Sequence, residues 1–423
     1  MSNRKPIKVL VLGAGVVGVT SAYFLAKAGH DVIIIDRQSG AAGETSFANG
    51  GQISPSHTEP WAGPDTLGHI FRWIGRQDAP LKFRIQSDPG FLGWCLKFLS
   101  NCRTSRAMVH REHMLRLSLY SRNCLIKLRE ETSISYHARQ QGILHFYRNS
   151  KDLIREKRRA EQMVQFGCPF HILDRDELAE TEPAFEKNKT QIEGGLYFPD
   201  DESGDAHFFT QKLVEISKNF GVKFRFDTNI SQLIEESGSI VAVETDKGTV
   251  SADAIVLAMG SYSPALTRPL GLNIPVQPIK GYSITLPIAA DQLAPKVSLV
   301  DSQRKLVFSR FGNRLRVAGM AETAGFDTSI DAARAQSLLK TTVELFPDLE
   351  GSNDPEYWTG LRPLTPDNAP VIGATKLKNL YVNTGHGALG WTMSCGSGQI
   401  IADMISDNEP AIDLEGLTME RFS

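Results

Sequence analysis

The first 36 residues alternate between two hydrophobic patterns. Residues 7–12 (IKVLVL) form a short β-branched run, typical of a strand buried on both faces. Apolar residues then recur at helical spacing until Gly29, which marks the end of a helix. A second apolar run at 32–35 ends in Asp36. The pattern predicts a strand–helix–strand unit of the kind that builds a parallel sheet.

A glycine fingerprint lies between the first strand and the helix. Its residues match G-x-G-x-x-G: Gly13, Ala14, Gly15, Val16, Val17 and Gly18. In this motif the first glycine permits a tight turn, the second admits a pyrophosphate, and the third allows the helix to pack on the strand. The helix N-terminus then binds phosphate, and Asp36 is placed to accept hydrogen bonds from ribose hydroxyls. The unit predicts a dinucleotide site.

The segment after Asp36 favours FAD over NAD. Arg37 follows directly, and a stretch rich in small and hydrogen-bonding residues comes next, as expected for a chain laid along a long cofactor. The residues expected to line it are Ser46, Asn49, Gly50, Gly51 and Gln52. NAD enzymes usually continue here with another strand–helix unit. This chain instead loses its regular pattern through Pro55, Pro60 and Pro64.

The rest of the chain predicts a second sheet. A helix over 208–220 precedes several strands, of which the buried run AIVLAM ends at Gly260, a second place where the chain can approach the cofactor. Alternating apolar and polar residues over 275–320 indicate antiparallel strands and a domain with its own sheet. Helices are predicted at about 330–346 and 391–407.

Composition excludes several classes of protein. The 423 residues carry 46 Lys and Arg against 48 Asp and Glu, a formal charge of −2, which argues against a strongly basic nucleic-acid binder. Five dispersed cysteines without a CxxC motif fit neither a zinc site nor a disulfide framework, and we expect no metal and reduced thiols. The glycine fingerprint interrupts the N-terminal apolar stretch, so we expect no signal peptide and no transmembrane helix.

Residues 91–131 are predicted to be helical and strongly basic. The basic residues are Lys97, Arg103, Arg106, Arg111, Arg116, Arg122, Lys127 and Arg129. A solvated helix face and contact with an anionic lipid surface both fit this pattern. Five apolar residues could form an edge beside it or belong to the core: Phe91, Trp94, Leu96, Phe98 and Leu99.

Six stretches together resemble the flavin-dependent amine and D-amino-acid oxidase family, and within it the bacterial D-amino acid dehydrogenases. They are VLGAGVVGVTSAYFLAKAGHDVIIIDR, GETSFANGGQISPS, PIKGYSIT, RVAGMAE, WTGLRPLTPDNAPVIG and NLYVNTGHGALGWTMSCGSGQ. They run from the start to near the end of the chain. The resemblance implies an α/β fold with two interleaved domains. A Rossmann-like FAD-binding domain is formed by residues 1–90, 200–270 and 352–423. An α+β substrate domain with a mostly antiparallel sheet is formed by residues 91–199 and 271–351.

The resemblance also implies a reaction. A D-amino acid, with small ones such as D-alanine favoured, is oxidised on non-covalent FAD to a 2-oxo acid and ammonia. Electrons then pass to a respiratory acceptor such as a quinone, in a cytoplasmic protein that can sit on the inner face of the membrane. D-proline, hydroxyproline or glycine-like amines are alternative substrates. A flavin-binding electron carrier without turnover is an alternative of a different class.

Four residues are candidates for the substrate site. In the family, the arginine of a G-x-R-P segment clamps the substrate carboxylate with its planar fork, and this points to Arg362. Arg310 is a second candidate for the clamp. Tyr282 can donate to the carboxylate or simply pack, and His386 is a less favoured general base.

The last cofactor segment is expected at the start of the final helix. Its free N–H groups can stabilise negative charge on the flavin. The residues are Gly387, Leu389, Gly390, Trp391 and Thr392. Cys395 raises the question of a covalent flavin link, but its neighbours match the non-covalent pattern.

Overall fold

The fold was described from a computed structural model covering residues 5–66, 68, 79–84, 86, 88–289, 293–351 and 354–422. In these ranges the helices are α1 (Val16–Lys27), α2 (Pro89–Asn101), α3 (Thr104–Thr132), α4 (Ser150–Val164), α5 (Arg175–Thr181), α6 (Ala206–Asn219), α7 (Ser263–Thr267), α8 (Ala332–Leu345) and α9 (Gly390–Ile405). The first ten strands are β1 (Lys8–Leu12), β2 (Asp31–Ile35), β3 (Gln52–Ile53), β4 (Leu81–Lys82), β5 (Ile143–Tyr147), β6 (His171–Leu173), β7 (Gly194–Phe198), β8 (Glu202–Ser203), β9 (Lys223–Arg225) and β10 (Ile230–Glu236). The others are β11 (Ser239–Thr245), β12 (Gly248–Val250), β13 (Ala254–Leu257), β14 (Gln277–Pro287), β15 (Ser298–Asp301), β16 (Leu306–Phe311), β17 (Arg314–Glu322), β18 (Glu356–Leu364), β19 (Val371–Ala374) and β20 (Leu380–Thr384).

A six-stranded sheet is built around the predicted N-terminal unit. Its order is β19-β20-β13-β1-β2-β9, and every pair is parallel except β19 with β20. The β1 and β13 side chains are buried on both faces, which explains their unbroken apolar runs. The strand–helix–strand prediction is therefore confirmed, and the turn between β1 and α1 lies at the carboxyl edge of this sheet, where ligands bind in such folds.

A nine-stranded sheet forms the second layer. Its order is β18-β14-β17-β16-β15-β5-β7-β6, with β4 added on β17. The pairing is antiparallel except for β15 with β5 and β17 with β4, so the prediction of a mostly antiparallel sheet is confirmed. β4 and β18 join this sheet, although the sequence places their segments with the FAD-binding domain.

Glycines in α9 allow three helices to pack closely behind the first sheet. A Cβ on Gly396 would lie 2.8 Å from Ser121 Cα in α3, and one on Gly398 would lie 2.9 Å from the Ser21 nitrogen in α1. The Thr20 hydroxyl of α1 also donates to the Ser394 carbonyl at 3.0 Å. These contacts fix α9, and with it the turn that precedes α9 at the edge of the sheet.

Several arginines of the basic stretch form ion pairs inside the protein. Arg111 bonds Glu59 at 2.8 Å, Arg129 bonds Glu202 at 2.6 Å, and both guanidinium groups are largely buried. Four other basic residues of the stretch have exposed side chains: Lys97, Arg103, Arg106 and Lys127. Both a solvated face and a lipid-contacting face therefore stay open for this stretch. The five apolar residues also divide: Phe91 and Trp94 are buried, whereas Leu96 and Leu99 are exposed. Within the described ranges, no helix combines the length and apolar character needed to cross a membrane.

Candidate active site

The β1–α1 turn is shaped so that only glycine fits its two key positions. Gly13 has φ +101°, and a Cβ there would lie 2.7 Å from the Ala258 carbonyl oxygen. A Cβ on Gly18 would overlap the Gly13 carbonyl. The first turn of α1 consequently packs directly on β1. Ser46 approaches the same turn, and its hydroxyl accepts a hydrogen bond from the Val16 N–H at 3.1 Å.

Asp36 is held beside this turn by backbone donors. One carboxylate oxygen accepts from the Ala14 N–H at 2.6 Å and the other from the Gln38 N–H at 2.8 Å. Burial raises the pKa of Asp36, and these two bonds oppose the rise. Its neighbour Arg37 bonds Glu44 at 2.6 Å and stacks 3.9 Å from the centre of the Tyr262 ring. The carboxylate is thus fixed at the end of β2, where a ribose would lie.

The predicted cofactor loop passes between the two sheets. A Cβ on Gly50 would lie 2.6 Å from a Val307 methyl group, and one on Gly51, at φ +79°, would overlap the Phe311 ring. The Asn49 side chain accepts from the Gly51 N–H at 2.8 Å. Small residues are therefore required here because the backbone lies against the second sheet.

The turn before α9 completes the cradle. Gly387 has φ +54° and Gly260 has φ +52°, conformations that suit glycine. Trp391 and Thr392 were also predicted to contact the cofactor, but their side chains turn away from the cavity. The Trp391 ring N–H donates to the Gly204 carbonyl at 3.2 Å, and the Thr392 hydroxyl donates to the Gln52 carbonyl at 3.2 Å. Both tie α9 to neighbouring loops, so their side chains hold the cradle in place.

A cavity of about 390 Å³ lies between the cradle and the second sheet. The cradle contributes Ala48, Asn49, Gly50, Gly387 and Leu389, and the sheet contributes Ser283, Ala318, Met320, Gly360 and Arg362. The glycine turn, the carboxylate at the end of β2 and this cavity lie in the order that the diphosphate, ribose and ring system of FAD require. The residues present therefore fit FAD. Cys395 is buried in α9 and is not among the cavity residues.

Arg362 brings an uncompensated cation to the cavity. Its two terminal nitrogens donate to the Met320 carbonyl at 2.8 Å and to the Gly319 carbonyl at 3.3 Å. In the described part of the chain, no carboxylate forms an ion pair with it. Burial lowers its pKa to about 10, so the guanidinium stays charged at neutral pH. A half-buried cation that lacks a carboxylate partner is a site suited to an anionic ligand.

Two glycines on neighbouring strands make room for the Arg362 guanidinium and for the ring of Trp358. Gly281 of β14 lies directly opposite Gly360 of β18. A Cβ on Gly281 would overlap the Arg362 guanidinium, and one on Gly360 would overlap the Trp358 ring. Sequence reasoning identified Gly360 only as part of the arginine motif, and it missed Gly281.

The hydroxyl of Tyr282 is bonded within the protein. The residue borders the cavity, but its hydroxyl donates to Glu322 at 2.8 Å on the other face of β14. Its ring packs in the core with Ile284 and Leu338. Neighbouring residues of a strand point to opposite faces, so Gly281 and Ser283 face the cavity where Tyr282 does not. The Ser283 hydroxyl is buried in the cavity wall and has no hydrogen-bond partner in the described structure.

The other two candidates also lie differently from the expectation. Arg310 donates to the Gly312 carbonyl at 3.1 Å and is not among the cavity residues, because it sits at the far end of β16. His386 borders the cavity, but its Nε2 lies 3.2 Å from the Ser397 hydroxyl inside α9. Burial lowers the pKa of His386 to about 3, which makes the imidazole neutral and a weak base.

Sequence reasoning also missed Arg316 of β17. Its Nε donates to the Thr285 hydroxyl at 2.7 Å and a terminal nitrogen donates to the Asn49 carbonyl at 3.2 Å. It is buried, and burial lowers its pKa to about 10. Arg316 thus anchors the cofactor loop to the second sheet. The alternation of residues along β17 could have indicated which face of the sheet Arg316 lies on, but not that Arg316 bonds the Asn49 carbonyl.

Comparison with known proteins gives the same assignment. A family model described as FAD dependent oxidoreductase matches residues 8–404. D-amino acid dehydrogenases of Paramagnetospirillum magneticum and Agrobacterium fabrum are 49% and 47% identical to this chain, each over 99% of it and over 99% and 100% of their own lengths.

Solved structures share the fold. Glycine oxidase from Geobacillus kaustophilus superposes with a TM-score of 0.78 at 22% identity, covering 98% of this chain and 99% of that one. L-proline dehydrogenase from P. horikoshii gives 0.78 at 19% identity, covering 99% and 98%. At this level of identity the likeness concerns the fold alone. The family match and the two full-length relatives together show that the chain belongs to the FAD-dependent oxidoreductase family, in its D-amino acid dehydrogenase group.

Proposed function

We propose that the protein oxidises D-amino acids, including small ones such as D-alanine, to 2-oxo acids and ammonia. The observation that carries the proposal is the half-buried Arg362 guanidinium, which has no carboxylate partner in the described structure and lies in a cavity bordered by the cofactor cradle. Bound FAD supplies the two-electron acceptor for the Cα–H bond. The names of the two full-length relatives support the same substrate class.

Each group of the cavity has a distinct task in this proposal. Arg362 holds the substrate carboxylate in two-point geometry, which orients the Cα–H toward the cradle. The Ser283 hydroxyl, which has no partner in the described structure, provides a hydrogen bond for the same carboxylate or for a water beside it. The neutral His386 stays bonded to Ser397 and keeps the turn of the cradle rigid. A base is not required if the substrate amine binds in its neutral form.

The clamp also separates this proposal from an electron carrier without turnover. A carrier needs no carboxylate site, whereas here Gly281 and Gly360 leave the space that the Arg362 guanidinium and the Trp358 ring occupy. Desolvating a cation without an ion-pair partner costs free energy, so the half-buried Arg362 favours a role in binding.

We further propose that electrons leave to a quinone at an anionic membrane surface. Leu92, Leu96 and Leu99 form an exposed stripe on α2, with 54%, 70% and 42% of their surface accessible. Residues 89–111 contain four basic residues and no acidic one. Phe98, on another face of α2, borders the cavity. The helix thus lies between the cavity and an apolar, basic surface suited to lipid.

Replacement of the three leucines by glutamine is expected to weaken binding to vesicles containing phosphatidylglycerol by about tenfold or more. Each leucine that inserts gains roughly 1.5–3 kcal/mol when fully buried, so the loss of all three outweighs the remaining charge attraction. Co-sedimentation of the FAD-loaded protein measures the effect. A control with Ile172→Gln and Val241→Gln changes exposed apolar residues elsewhere, at 44% and 39% exposure. Equal binding of both variants would contradict the assignment of this surface.

Anaerobic reduction of the bound FAD tests the reaction itself. D-alanine is expected to bleach the visible absorbance of the purified holoprotein, and L-alanine is expected to leave it unchanged. D-proline, hydroxyproline and glycine measured in parallel distinguish the alternative substrates. Steady-state rates with a quinone analogue should exceed those with oxygen. An oxidised spectrum that persists with a panel of D-amino acids would refute the proposed reaction.

A further inference from the structure

The carboxylates that border the cavity all have arginine partners. Glu59 pairs with Arg111 at 2.8 Å, and Asp65 pairs with Arg159 at 3.5 Å. Two further carboxylates complete the set: Glu156 pairs with Arg155 at 2.9 Å and with Arg159 at 3.0 Å, and Asp301 pairs with Arg148 at 2.7 Å. The negative charges of the cavity wall are therefore compensated inside the protein.

Two cations of the same wall are not compensated. One is Arg362, whose guanidinium bonds only backbone carbonyls. The other is Lys305, for which no ion pair or hydrogen bond of its side chain occurs in the described structure. Lys305 is an exposed residue that borders the cavity, and desolvation by the surrounding protein lowers its pKa. An anion placed beside it would reverse that desolvation loss.

The backbone holds Lys305 in an unusual conformation. It is the last residue of the four-residue turn between β15 and β16, and its φ is +56°. Left-handed backbone of this kind suits glycine and costs a larger side chain about 1–2 kcal/mol. A lysine kept in a position that glycine would fill more easily indicates a use for its side chain.

The neighbours of Lys305 on the wall are neutral polar groups and an ion-paired cluster of Glu156, Arg155 and Arg159. His57 borders the cavity, and burial together with the charge of Lys305 lowers its pKa to about 4. Its ring contacts the His145 ring at 5.4 Å, and His145 Nε2 has no hydrogen-bond partner in the described structure. Ser302 lies in the same turn as Lys305 and also borders the cavity. Glu156 raises the pKa of Lys305, whereas Arg155 and Arg159, which pair with Glu156, lower it, so the carboxylate is offset by its own partners.

We infer that Lys305 forms a second anion subsite, which takes the side-chain carboxylate of an acidic D-amino acid while Arg362 holds the α-carboxylate. The inference rests on the proposed function and adds a substrate class to it. The cavity wall thus offers one cation without a carboxylate partner for each of the two carboxylates of D-aspartate or D-glutamate. D-alanine uses only the first subsite, so the two proposals are compatible.

Pairs of acid and amide substrates test the inference, because they have nearly the same shape and differ in charge. We compare kcat/KM for D-glutamate with D-glutamine, and for D-aspartate with D-asparagine. In the unmodified holoprotein, kcat/KM for the acid is expected to exceed kcat/KM for the amide about tenfold or more in at least one pair. Loss of one hydrogen bond between charged groups produces a change of this size. In Lys305→Met the ratio for that pair is expected to fall to about one.

Two further variants test whether a change in preference comes from backbone strain at position 305 or from the loss of any positive charge nearby. Lys305→Gly suits the left-handed turn, so it folds without the strain and should lose the same preference. Lys157→Met removes an exposed charge from nearby α4, outside the cavity wall, and should keep the preference. FAD content and thermal midpoint are recorded for each variant.

The outcomes separate the two proposals. An acid-to-amide ratio near one in the unmodified protein, with D-alanine still reducing the FAD, overturns the subsite and leaves the proposed function intact. A ratio that survives both Lys305 variants overturns the role of this residue. Failure of every D-amino acid to reduce the FAD refutes the proposed function, and the subsite falls with it.

Discussion

Replacement of Arg362 by alanine is expected to lower kcat/KM for D-alanine by about 100-fold or more, while the protein keeps its FAD. Each hydrogen bond between charged groups contributes roughly 1.5–3 kcal/mol, and the planar fork can make two of them to one carboxylate. Arg362 lies on β18 of the second sheet, whereas the glycine turn and Asp36 belong to the first sheet. Loss of the clamp should therefore leave cofactor binding unaffected.

Kinetics and absorbance together measure this result. Arg362→Lys keeps a charge but not the fork, so it should recover only part of the loss. The flavin absorbance per protein should be equal in all three proteins. Unchanged kcat/KM in Arg362→Ala would remove Arg362 from substrate binding. The clamp would then have to be sought at Lys305 or Ser283, since Arg310 does not border the cavity.

The first sheet was predictable because its signals are local. The run at 7–12, the glycine fingerprint and the acid after 32–35 each demand a particular backbone, and together they fit one supersecondary unit. The structure agrees, with Gly13 at φ +101° and Asp36 bonded to the Ala14 N–H. The antiparallel sheet was predictable in kind from alternation over 275–320. Its parallel pairs, β15 with β5 and β17 with β4, join segments distant in the chain and leave no local signal.

Side-chain placement at the site was less predictable. β14 is buried on both faces over ten of its eleven residues, so hydropathy does not tell which parity faces the cavity. Tyr282 and Gly281 are adjacent, and the tyrosine was the candidate because its hydroxyl can form hydrogen bonds. In the structure, however, it is Gly281 that lies beside Arg362. A search for functional groups in a sequence selects reactive side chains. It does not select a glycine, whose role is to leave space for a neighbouring side chain.

The sequence likewise did not indicate which charged residues form ion pairs with each other. Arg111 and Arg129 appeared as members of a basic stretch, but their partners Glu59 and Glu202 lie 52 and 73 residues away. The same long-range pairing leaves Arg362 and Lys305 as the cations of the cavity wall without carboxylate partners. Which charges remain available for a ligand follows from the tertiary structure, because a partner distant in sequence decides it.

Gly281→Ala is expected to reduce kcat/KM for D-alanine nearly as much as removal of Arg362, by about 100-fold, although it adds only one methyl group. The added Cβ would overlap the guanidinium, so Arg362 must leave its bonds to the Met320 and Gly319 carbonyls. Gly281 does not have a positive φ, so the substitution brings no backbone strain of that kind. The loss should therefore arise from a misplaced clamp, and misplacement by about 1 Å is enough to reduce rates 100-fold.

Steady-state kinetics on the FAD-loaded variant measure this loss, and Gly93→Ala is the matched control. Gly93 lies in α2 with open space around its Cβ position, so alanine there should leave the rate unchanged and support the helix. The double variant Gly281→Ala/Arg362→Ala provides the decisive comparison. If both changes act through the clamp, the double variant is no slower than Arg362→Ala alone. Multiplicative losses would instead show that Gly281 acts separately from Arg362, and would contradict the mechanism proposed for it.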